Sequence, residues 1–205
     1  MPKVKICGLT RKQDIKIVNK YLPSFVGFVF ANSKRKVTKQ QARDLIEMLD
    51  KRILPIGVFV NASVDEIVDT IKISGITAVQ LHGNEDSTFI NNLKREIPIE
   101  ILIIKAIRVK DLSGVNEANK LKNVDYILFD TFVEGLEGGS GKTFGWELIK
   151  GYKKPYFLAG GLNNDNLETV IKKIKPYCLD VSTGVETNDF KDENKIRKFM
   201  EASYD

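Results

Sequence analysis

The sequence has few of the residues that build disulfide frameworks, and it lacks the features of membrane or secreted segments. Its two cysteines, Cys7 and Cys178, lie too far apart in 205 residues to indicate a disulfide framework. No apolar run approaches the roughly 20 residues of a membrane span, and the N-terminal MPKVKICG lacks the apolar core of a signal peptide. These absences predict a soluble, cytoplasmic protein without a membrane partner.

The formal net charge of +5 does not by itself identify a polyanion partner. Lysines alternate with acidic residues, as in KREIPIE and KDENKIRK, and this patterning is typical of a solvated helix surface. A modest positive field also suits a small anionic substrate. We therefore predict a small-molecule partner and no nucleic acid, while the sequence leaves monomer and homodimer open.

Short runs rich in β-branched and aromatic residues alternate with segments of helical spacing. Several runs, such as ILIIKAI and FVGFVF, are apolar nearly throughout, as expected for parallel strands covered on both faces. The predicted strands are Lys3–Cys7, Phe25–Phe30, Leu54–Val60, Ala78–His82, Glu100–Ile107, Tyr126–Asp130, Pro155–Ala159 and Cys178–Ser182.

Start and stop signals mark helices between these strands. Ser63 with Glu66 and Thr38 with Gln41 form capping-box patterns. Gly75 is expected to end the helix that begins at Ser63. The alternation predicts eight strand–helix units, the number that closes a barrel.

The predicted fold is an α/β, single-domain (β/α)8 TIM barrel, with residues 1–205 as one catalytic domain. An open doubly wound sheet has the same alternation, but its G-x-G-x-x-G fingerprint is missing after the first strand, where the sequence reads CGLTRKQD. No linker or break in composition divides the chain.

The carboxyl ends of the strands converge on one mouth in such barrels, and the chemistry is found there. Asp130 ends an apolar strand, so its carboxyl group is either a tuned general acid or a structural acceptor. Cys7 ends the first strand on the same face as Lys5. Its thiolate is a candidate base if positive charge favours ionisation. A lone cysteine is more often a small buried hydrophobe, which is the interpretation given to Cys178.

Four inward-facing residues accompany this pair. Lys5 needs a partner inside the barrel, and Asp180 on the neighbouring strand is expected to supply it in a structural ion pair. Gln80 and His82 share one parity on the fourth strand. We predict that both bind substrate, although His82 also fits a simple hydrogen bond to a loop.

Two glycine-containing turns follow the seventh and eighth strands, at Leu158–Leu162 and Val181–Glu186. Glycines let backbone N–H groups approach an anion, a helix N-terminus adds a favourable dipole, and barrels often bind phosphate at this place. A tight turn alone would explain Gly160 and Gly161. Two such turns adjacent in space favour a phosphate site.

The segment GGSGKT, Gly138–Thr143, resembles the end of a P-loop. Its first glycine position falls on Leu136, and the preceding strand ends well before it. A nucleotide site is therefore not indicated, and a mobile loop that covers substrate explains these glycines better.

An ordered series of motifs along nearly the whole chain resembles the phosphoribosylanthranilate isomerase family. Each motif is weak alone, whereas the series is specific. The motifs are KICGLT at Lys5–Thr10, SKR at Ser33–Arg35, GVFVN at Gly57–Asn61, QLHG at Gln80–Gly83, KAIRV at Lys105–Val109, FDT at Phe129–Thr131, GGSGKTFGW at Gly138–Trp146, LAGGL at Leu158–Leu162 and DVSTGVE at Asp180–Glu186.

The resemblance implies a cofactor-free, metal-free Amadori rearrangement in tryptophan biosynthesis, from N-(5-phosphoribosyl)anthranilate to 1-(2-carboxyphenylamino)-1-deoxyribulose 5-phosphate. By this resemblance Asp130 is the general acid that opens the furanose ring, and Cys7 is the general base at C2. Arg35 would pair with the anthranilate carboxylate. Lys34 stands where the family commonly has proline and is expected to loosen the loop that carries Arg35. Phosphate contacts would come from the backbone of Gly160, Gly161, Ser182, Thr183 and Gly184.

Two alternatives stay open on the sequence. A histidine-pathway aminoaldose–aminoketose isomerase would share the phosphate site, but it should have a carboxylate in place of Cys7 and a further glycine-rich turn for a second phosphate. A non-catalytic barrel that binds a phosphorylated ligand would have no reason to retain Cys7, Asp130 and Arg35 together.

Overall fold

The computed structural model describes residues 1–98, 100–130, 146–149 and 151–204, and the segment Gly138–Thr143 lies outside them. Eight parallel strands follow one another around a closed barrel, and the last pairs with the first. The predicted α/β barrel is confirmed, with each strand end within two residues of its predicted position. The strands are β1 (Lys3–Cys7), β2 (Phe25–Val29), β3 (Leu54–Phe59), β4 (Ala78–Leu81), β5 (Leu102–Arg108), β6 (Tyr126–Asp130), β7 (Tyr156–Ala159) and β8 (Cys178–Val181).

A helix follows each strand along the chain. After β8, a 3₁₀ turn at Thr183–Val185 and a hairpin of β9 (Glu186–Thr187) and β10 (Phe190–Lys191) precede the last helix. None of the described helices has the length and apolar character needed to cross a bilayer. The helices are α1 (Lys12–Tyr21), α2 (Lys39–Glu47), α3 (Val64–Ser74), α4 (Ser87–Glu96), α5 (Leu112–Lys120), α6 (Trp146–Ile149), α7 (Leu167–Ile174) and α8 (Glu193–Tyr204).

The predicted capping residues begin and end their helices. Thr38 and Gln41 exchange bonds at the start of α2: the Gln41 N–H donates to Thr38 Oγ1 at 3.1 Å, and the Thr38 N–H donates to Gln41 Oε1 at 2.8 Å. Ser63 accepts the Glu66 N–H at 3.1 Å, which is the first half of the predicted box. Gly75 ends α3 at φ +77°, a left-handed conformation that favours glycine.

Strand alternation separates two apolar layers. Val4 and Ile6 of β1 belong to the larger layer between barrel and helices, whereas Lys5 and Cys7 face the interior, because successive side chains of a strand point to opposite faces. The interior layer consists of Phe25, Ile56, Ala78, Ile104, Ala106, Leu128, Phe157, Ala159 and Cys178. Polar inward-facing residues lie above this interior apolar layer, at the carboxyl ends of the strands.

A buried ion pair that was not predicted from the sequence joins β5 to the turn after β4. Lys105 Nζ lies 2.9 Å from Glu85 Oε2 and donates to the Gly83 carbonyl at 2.6 Å. Glu85 also accepts the backbone N–H groups of Asn61 and Gly83 at 2.7 and 2.9 Å. The two charged side chains are 3% and 2% exposed. Burial opposes ionisation of Glu85, but these hydrogen bonds hold its pKa below the usual value.

We expect Lys105→Met to lower the free energy of unfolding by about 3–5 kcal/mol, because it leaves the buried carboxylate of Glu85 without its counter-charge. Lys172→Met is the matched control: Lys172 and its partner Glu168 have side chains that are 71% and 78% exposed, and such pairs contribute about 0.3–0.5 kcal/mol. Urea denaturation followed by circular dichroism compares the two. Equal losses would contradict a structural role for the buried pair.

Candidate active site

The two predicted proton-transfer groups lie at the carboxyl ends of β1 and β6. Cys7 is partly exposed, and the Asp130 side chain is 21% exposed. Cys178, at the start of β8, is fully buried, in agreement with its interpretation as a core residue. Cys7 and Asp130 therefore both reach the mouth of the barrel, whereas the second thiol does not.

Lys5 lies directly beneath Cys7 and is completely buried. Its Nζ donates to Asp180 Oδ2 at 2.8 Å, to Gln80 Oε1 at 2.6 Å and to Cys7 Sγ at 3.4 Å. The predicted Lys5–Asp180 ion pair is confirmed, and β1 and β8 hold it in direct register. The ammonium group also places a positive charge beside the candidate base.

The electrostatics of this cluster favour a charged Lys5 and a protonated Cys7. Burial opposes the ammonium form, but the Asp180 and Cys7 charges and hydrogen bonds raise the pKa of Lys5 above its usual value. Burial raises the pKa of the Cys7 thiol, and the Asp180 carboxylate adds to this rise. Lys5 and Lys191 act in the opposite direction without overcoming it. Ligand-free Cys7 is therefore mainly a thiol at neutral pH.

Gln80 and His82 connect Lys5 to Asp130. Gln80 Nε2 lies 2.9 Å from His82 Nδ1, and His82 Nε2 lies 3.2 Å from Asp130 Oδ2. Gln80 is 1% exposed and both ends of its amide are engaged. The prediction that Gln80 binds substrate is therefore revised: its side chain lies behind the site. The His82 side chain is 21% exposed at the mouth.

The two glycine turns after β7 and β8 pack against each other. Gly160 and Gly161 adopt φ values of +96° and +64°, conformations that favour glycine. A Cβ on Gly184 would overlap the carbonyl oxygen of Leu162, so this close approach requires glycine. The predicted adjacency of the turns is confirmed, and the Ser182 hydroxyl, which donates to the Cys7 carbonyl at 3.1 Å, links them to β1.

Arg35 lies at the same mouth and is held by Glu186. Arg35 Nε donates to Glu186 Oε1 at 2.8 Å, and Nη2 donates to Oε2 at 2.6 Å. The two side chains are 16% and 6% exposed. The Arg35 side chain crosses Gly8, at φ +82°, where a Cβ would overlap its Cδ. Glu186, the partner that orients Arg35, was not predicted from the sequence.

Lys191 completes this second charged cluster and was also missed. Its Nζ lies 2.5 Å from Glu186 Oε1 and 3.2 Å from the Ser182 carbonyl oxygen, and its side chain is 1% exposed. Burial lowers the pKa of Lys191 although Glu186 opposes that change. The segment NDFKDEN has the composition of a surface turn, and no local pattern indicates that its lysine is buried.

Contacts with the β9–β10 hairpin fix the Ser33–Arg35 loop. Lys34 forms an ion pair with Asp189 of the hairpin, and the Arg35 N–H donates to Ser33 Oγ at 3.1 Å. Lys34 and Asp189 are 56% and 66% exposed, so their pair contributes at most about 1 kcal/mol. Lys34 and Arg35 both join this loop to the hairpin, and the expectation that Lys34 loosens the loop stays a prediction.

A cavity of about 480 Å³ opens beside His82 at the mouth. Its walls include Asn61, Lys105, Arg108 and Glu117, so polar and charged groups dominate. Within the described part of the chain, no three His, Cys, Asp or Glu side chains come together in a way that could hold a metal ion.

The fold and the site together define a class of protein. It is a (β/α)8-barrel protein in which a thiol and a carboxyl group share one mouth with an arginine and two glycine turns. Such a set of groups suits proton transfer on a small anionic ligand.

Comparison with known proteins places the chain within this class. The family model for N-(5'-phosphoribosyl)anthranilate (PRA) isomerase matches residues 4–202, and the chain belongs to that family. An N-(5'-phosphoribosyl)anthranilate isomerase from Endomicrobium trichonymphae is 48% identical over 198 residues, which cover 96% of this chain and 95% of the relative.

Solved structures of the same family share the fold over the full length. The phosphoribosyl anthranilate isomerase from Thermotoga maritima has a TM-score of 0.87 at 36% identity and covers 100% of this chain and 99% of its own. Another, in complex with reduced 1-(o-carboxyphenylamino)-1-deoxyribulose 5-phosphate, has a TM-score of 0.85 at 33% identity with the same coverage.

We expect alkylation of Cys7 by iodoacetamide to follow a titration with a midpoint above about pH 8.5, the value for an ordinary cysteine, because only the thiolate reacts and burial raises the pKa of this thiol. Samples quenched at successive times and analysed by mass spectrometry give the alkylation rate at each pH. Cys178→Ala is the control and should leave the profile unchanged, since Cys178 is 0% exposed. A midpoint below 8.5 would contradict the dominance of burial over Lys5.

Proposed function

We propose that the chain isomerises N-(5-phosphoribosyl)anthranilate to 1-(2-carboxyphenylamino)-1-deoxyribulose 5-phosphate in tryptophan biosynthesis, as one (β/α)8-barrel catalytic domain. The observation that carries the proposal is the shared mouth of Cys7 and Asp130, in a chain of the PRA isomerase family. Arg35 and the turns at 160–161 and 182–184 surround that pair.

The first step is opening of the furanose ring, with Asp130 as the general acid. Its proton passes to the ring oxygen as the bond between that oxygen and C1 breaks. The nitrogen lone pair then forms the C=N bond of a Schiff base. His82, with Nε2 at 3.2 Å from Asp130 Oδ2, orients the carboxyl group.

The second step is removal of the C2 proton by the thiolate form of Cys7, which is the minor form in the ligand-free protein at neutral pH. The electron pair of the C2–H bond forms the C1=C2 bond of an enolamine, and the C=N pair returns to nitrogen. Proton transfer from the C2 hydroxyl and protonation at C1 then give the ketone. Lys5, 3.4 Å from the sulfur, supports the thiolate form of Cys7 with its positive charge.

Arg35 is proposed to bind the anthranilate carboxylate while Glu186 holds it in place. A guanidinium group has five N–H donors, and the bonds to Glu186 use the edge formed by Nε and Nη2. The edge formed by Nη1 and Nη2 is a different edge from the one that Glu186 binds, and it fits a second carboxylate in a bidentate way. Glu186 therefore orients Arg35 and does not have to be displaced by the substrate.

The phosphate is proposed to bind the backbone N–H groups of the two glycine turns. The relative that contains a reduced deoxyribulose 5-phosphate derivative supports a small phosphorylated ligand in this fold. The positive φ of the β7 turn and the short 3₁₀ turn after β8 match the usual phosphate position of barrels. The residues are Gly160, Gly161, Ser182, Thr183 and Gly184.

We expect Asp130→Asn and Cys7→Ser each to lower kcat by about 10²–10⁴-fold, because each removes one proton-transfer group and leaves both anion anchors. The decay of fluorescence of freshly made phosphoribosylanthranilate measures turnover. Cys178→Ala is the matched control for loss of a thiol and should retain activity. Affinity for the reduced product, measured by calorimetry, should change little in the two catalytic variants.

Either of two results would oppose this assignment. Folded wild-type protein that leaves phosphoribosylanthranilate unchanged would exclude the proposed function. Near-normal turnover in one variant would exclude that residue as the acid or the base.

We expect Gly184→Ala to weaken binding of the reduced product at least about tenfold, because the added Cβ displaces the turn at Leu162 and misplaces the phosphate contacts. Gly151→Ala is the matched control, since a Cβ on Gly151 meets nothing within 4 Å. Calorimetry with the reduced product and with inorganic phosphate measures both variants. An unchanged affinity in Gly184→Ala would exclude this turn from the phosphate site.

A further inference from the structure

A continuous series of polar contacts connects the proposed base to the proposed acid beneath the mouth. It runs from Cys7 Sγ to Lys5 Nζ at 3.4 Å and from Lys5 Nζ to Gln80 Oε1 at 2.6 Å. It continues from Gln80 Nε2 to His82 Nδ1 at 2.9 Å and from His82 Nε2 to Asp130 Oδ2 at 3.2 Å. The ammonium group of Lys5 determines which atom donates and which accepts along this series.

Lys5 determines the orientation of the Gln80 amide. An ammonium group only donates hydrogen bonds, so the amide atom that faces it at 2.6 Å must be the oxygen. A flipped amide would place N–H donors against the ammonium group. Gln80 is 1% exposed and Lys5 is fully buried, so water cannot compensate for such a contact.

The orientation of Gln80 in turn determines the proton position on His82. With its oxygen on Lys5, the amide presents an N–H to His82 Nδ1, which must accept and therefore carries no proton. A neutral imidazole then has its proton on Nε2, the nitrogen that faces Asp130 Oδ2. An imidazolium would have a second N–H on Nδ1, directed at the donor of Gln80.

In the described part of the chain, the other charged groups near His82 form no hydrogen bond or ion pair with its ring. The cavity beside it is also lined by Glu85, Asp86, Lys105, Arg108 and Glu117. Glu85 and Lys105 are paired with each other. Asp130 is the acidic side chain that contacts the ring among the described residues.

We propose that Gln80 is a positioning residue that holds His82 as the neutral Nε2–H tautomer, so that a neutral N–H donates to the acid Asp130. Its catalytic consequence rests on the proposed function. A positive charge on His82 would favour the ionised carboxylate and remove the proton that ring opening requires. A neutral N–H donor orients the same carboxyl group and favours its ionised form less than a full positive charge does.

The protein has a single histidine, so one imidazole gives all the signals. Long-range ¹H–¹⁵N correlation spectra of histidine-labelled protein distinguish the two neutral tautomers and the cation. We expect the Nε2–H tautomer at pH 7 in the ligand-free wild type. An Nδ1–H tautomer or an imidazolium at that pH would overturn the proposal without any activity measurement.

Gln80→Glu is the sharpest variant because it keeps the shape of the side chain and replaces the N–H donor with an acceptor. We expect the His82 proton to move to Nδ1, or the ring to become an imidazolium. We also expect kcat to fall at least about tenfold, a part of the roughly 10²–10⁴-fold that a positioned acid contributes. KM should change little, because Gln80 does not reach the mouth. An unchanged tautomer, or an unchanged kcat after the switch, would refute the role.

Gln80→Glu also places a negative charge beside Lys5, and a double-mutant cycle with His82→Asn separates the two effects. If Gln80 acts through His82, Gln80→Glu should change kcat far less in the His82→Asn background. A full loss there would overturn the proposal and assign the effect to Lys5 and Cys7. Gln80→Met, which offers neither donor nor acceptor, serves if the glutamate variant does not fold, and it should give a mixture of tautomers.

Different results would contradict the proposed reaction and the proposed role of Gln80. Wild-type protein with the Nε2–H tautomer but no turnover of phosphoribosylanthranilate would oppose the reaction and leave the positioning of His82 intact. Turnover together with the opposite tautomer would leave the reaction intact and remove Gln80 from it.

Discussion

The buried ammonium group of Lys5 is the interaction on which the rest of the site depends. It is 0% exposed, and a buried charge is tolerated only when it is paired and fully hydrogen-bonded. Its three N–H groups are directed at Asp180, Gln80 and Cys7. The same ammonium group therefore ties β1 to β8, where the barrel closes, and to β4 across the interior. The position of the candidate base and the orientation of the amide behind the acid both follow from it.

A second cluster at the mouth has a net positive charge. Lys5 and Asp180 balance each other, whereas Arg35 and Lys191 share the single carboxylate of Glu186. Glu186 and Lys191 of this cluster lie on the hairpin after β8, and Lys191 contacts the Ser182 carbonyl. Positive charge at that place favours an anionic ligand, and it also acts on the Cys7 thiol, whose pKa Lys191 lowers while burial raises it.

Strand periodicity was enough to predict the barrel and the ion pair between Lys5 and Asp180. Lys5 and Asp180 follow from alternation and from the adjacency of the first and last strands of a closed barrel. Pairs made by loops were not predictable in the same way. Lys191 with Glu186 and Lys105 with Glu85 depend on the path of turns, which no period of two or 3.6 residues encodes. Side-chain chemistry alone did not distinguish these buried lysines from surface ones.

The revised prediction for Gln80 shows what the alternation of side chains along a strand leaves undetermined. Parity gives the face of a strand but not the depth along the barrel, and inward-facing residues of a barrel form layers. Lys5, Gln80 and Asp180 form a buried layer through mutual contacts. The residues two positions later, Cys7, His82 and Ser182, are partly exposed. The upper layer is the one that can touch a ligand, and the lower layer sets its proton positions and charges. A substitution in the lower layer can therefore change the chemistry of the site without removing any group that a ligand contacts.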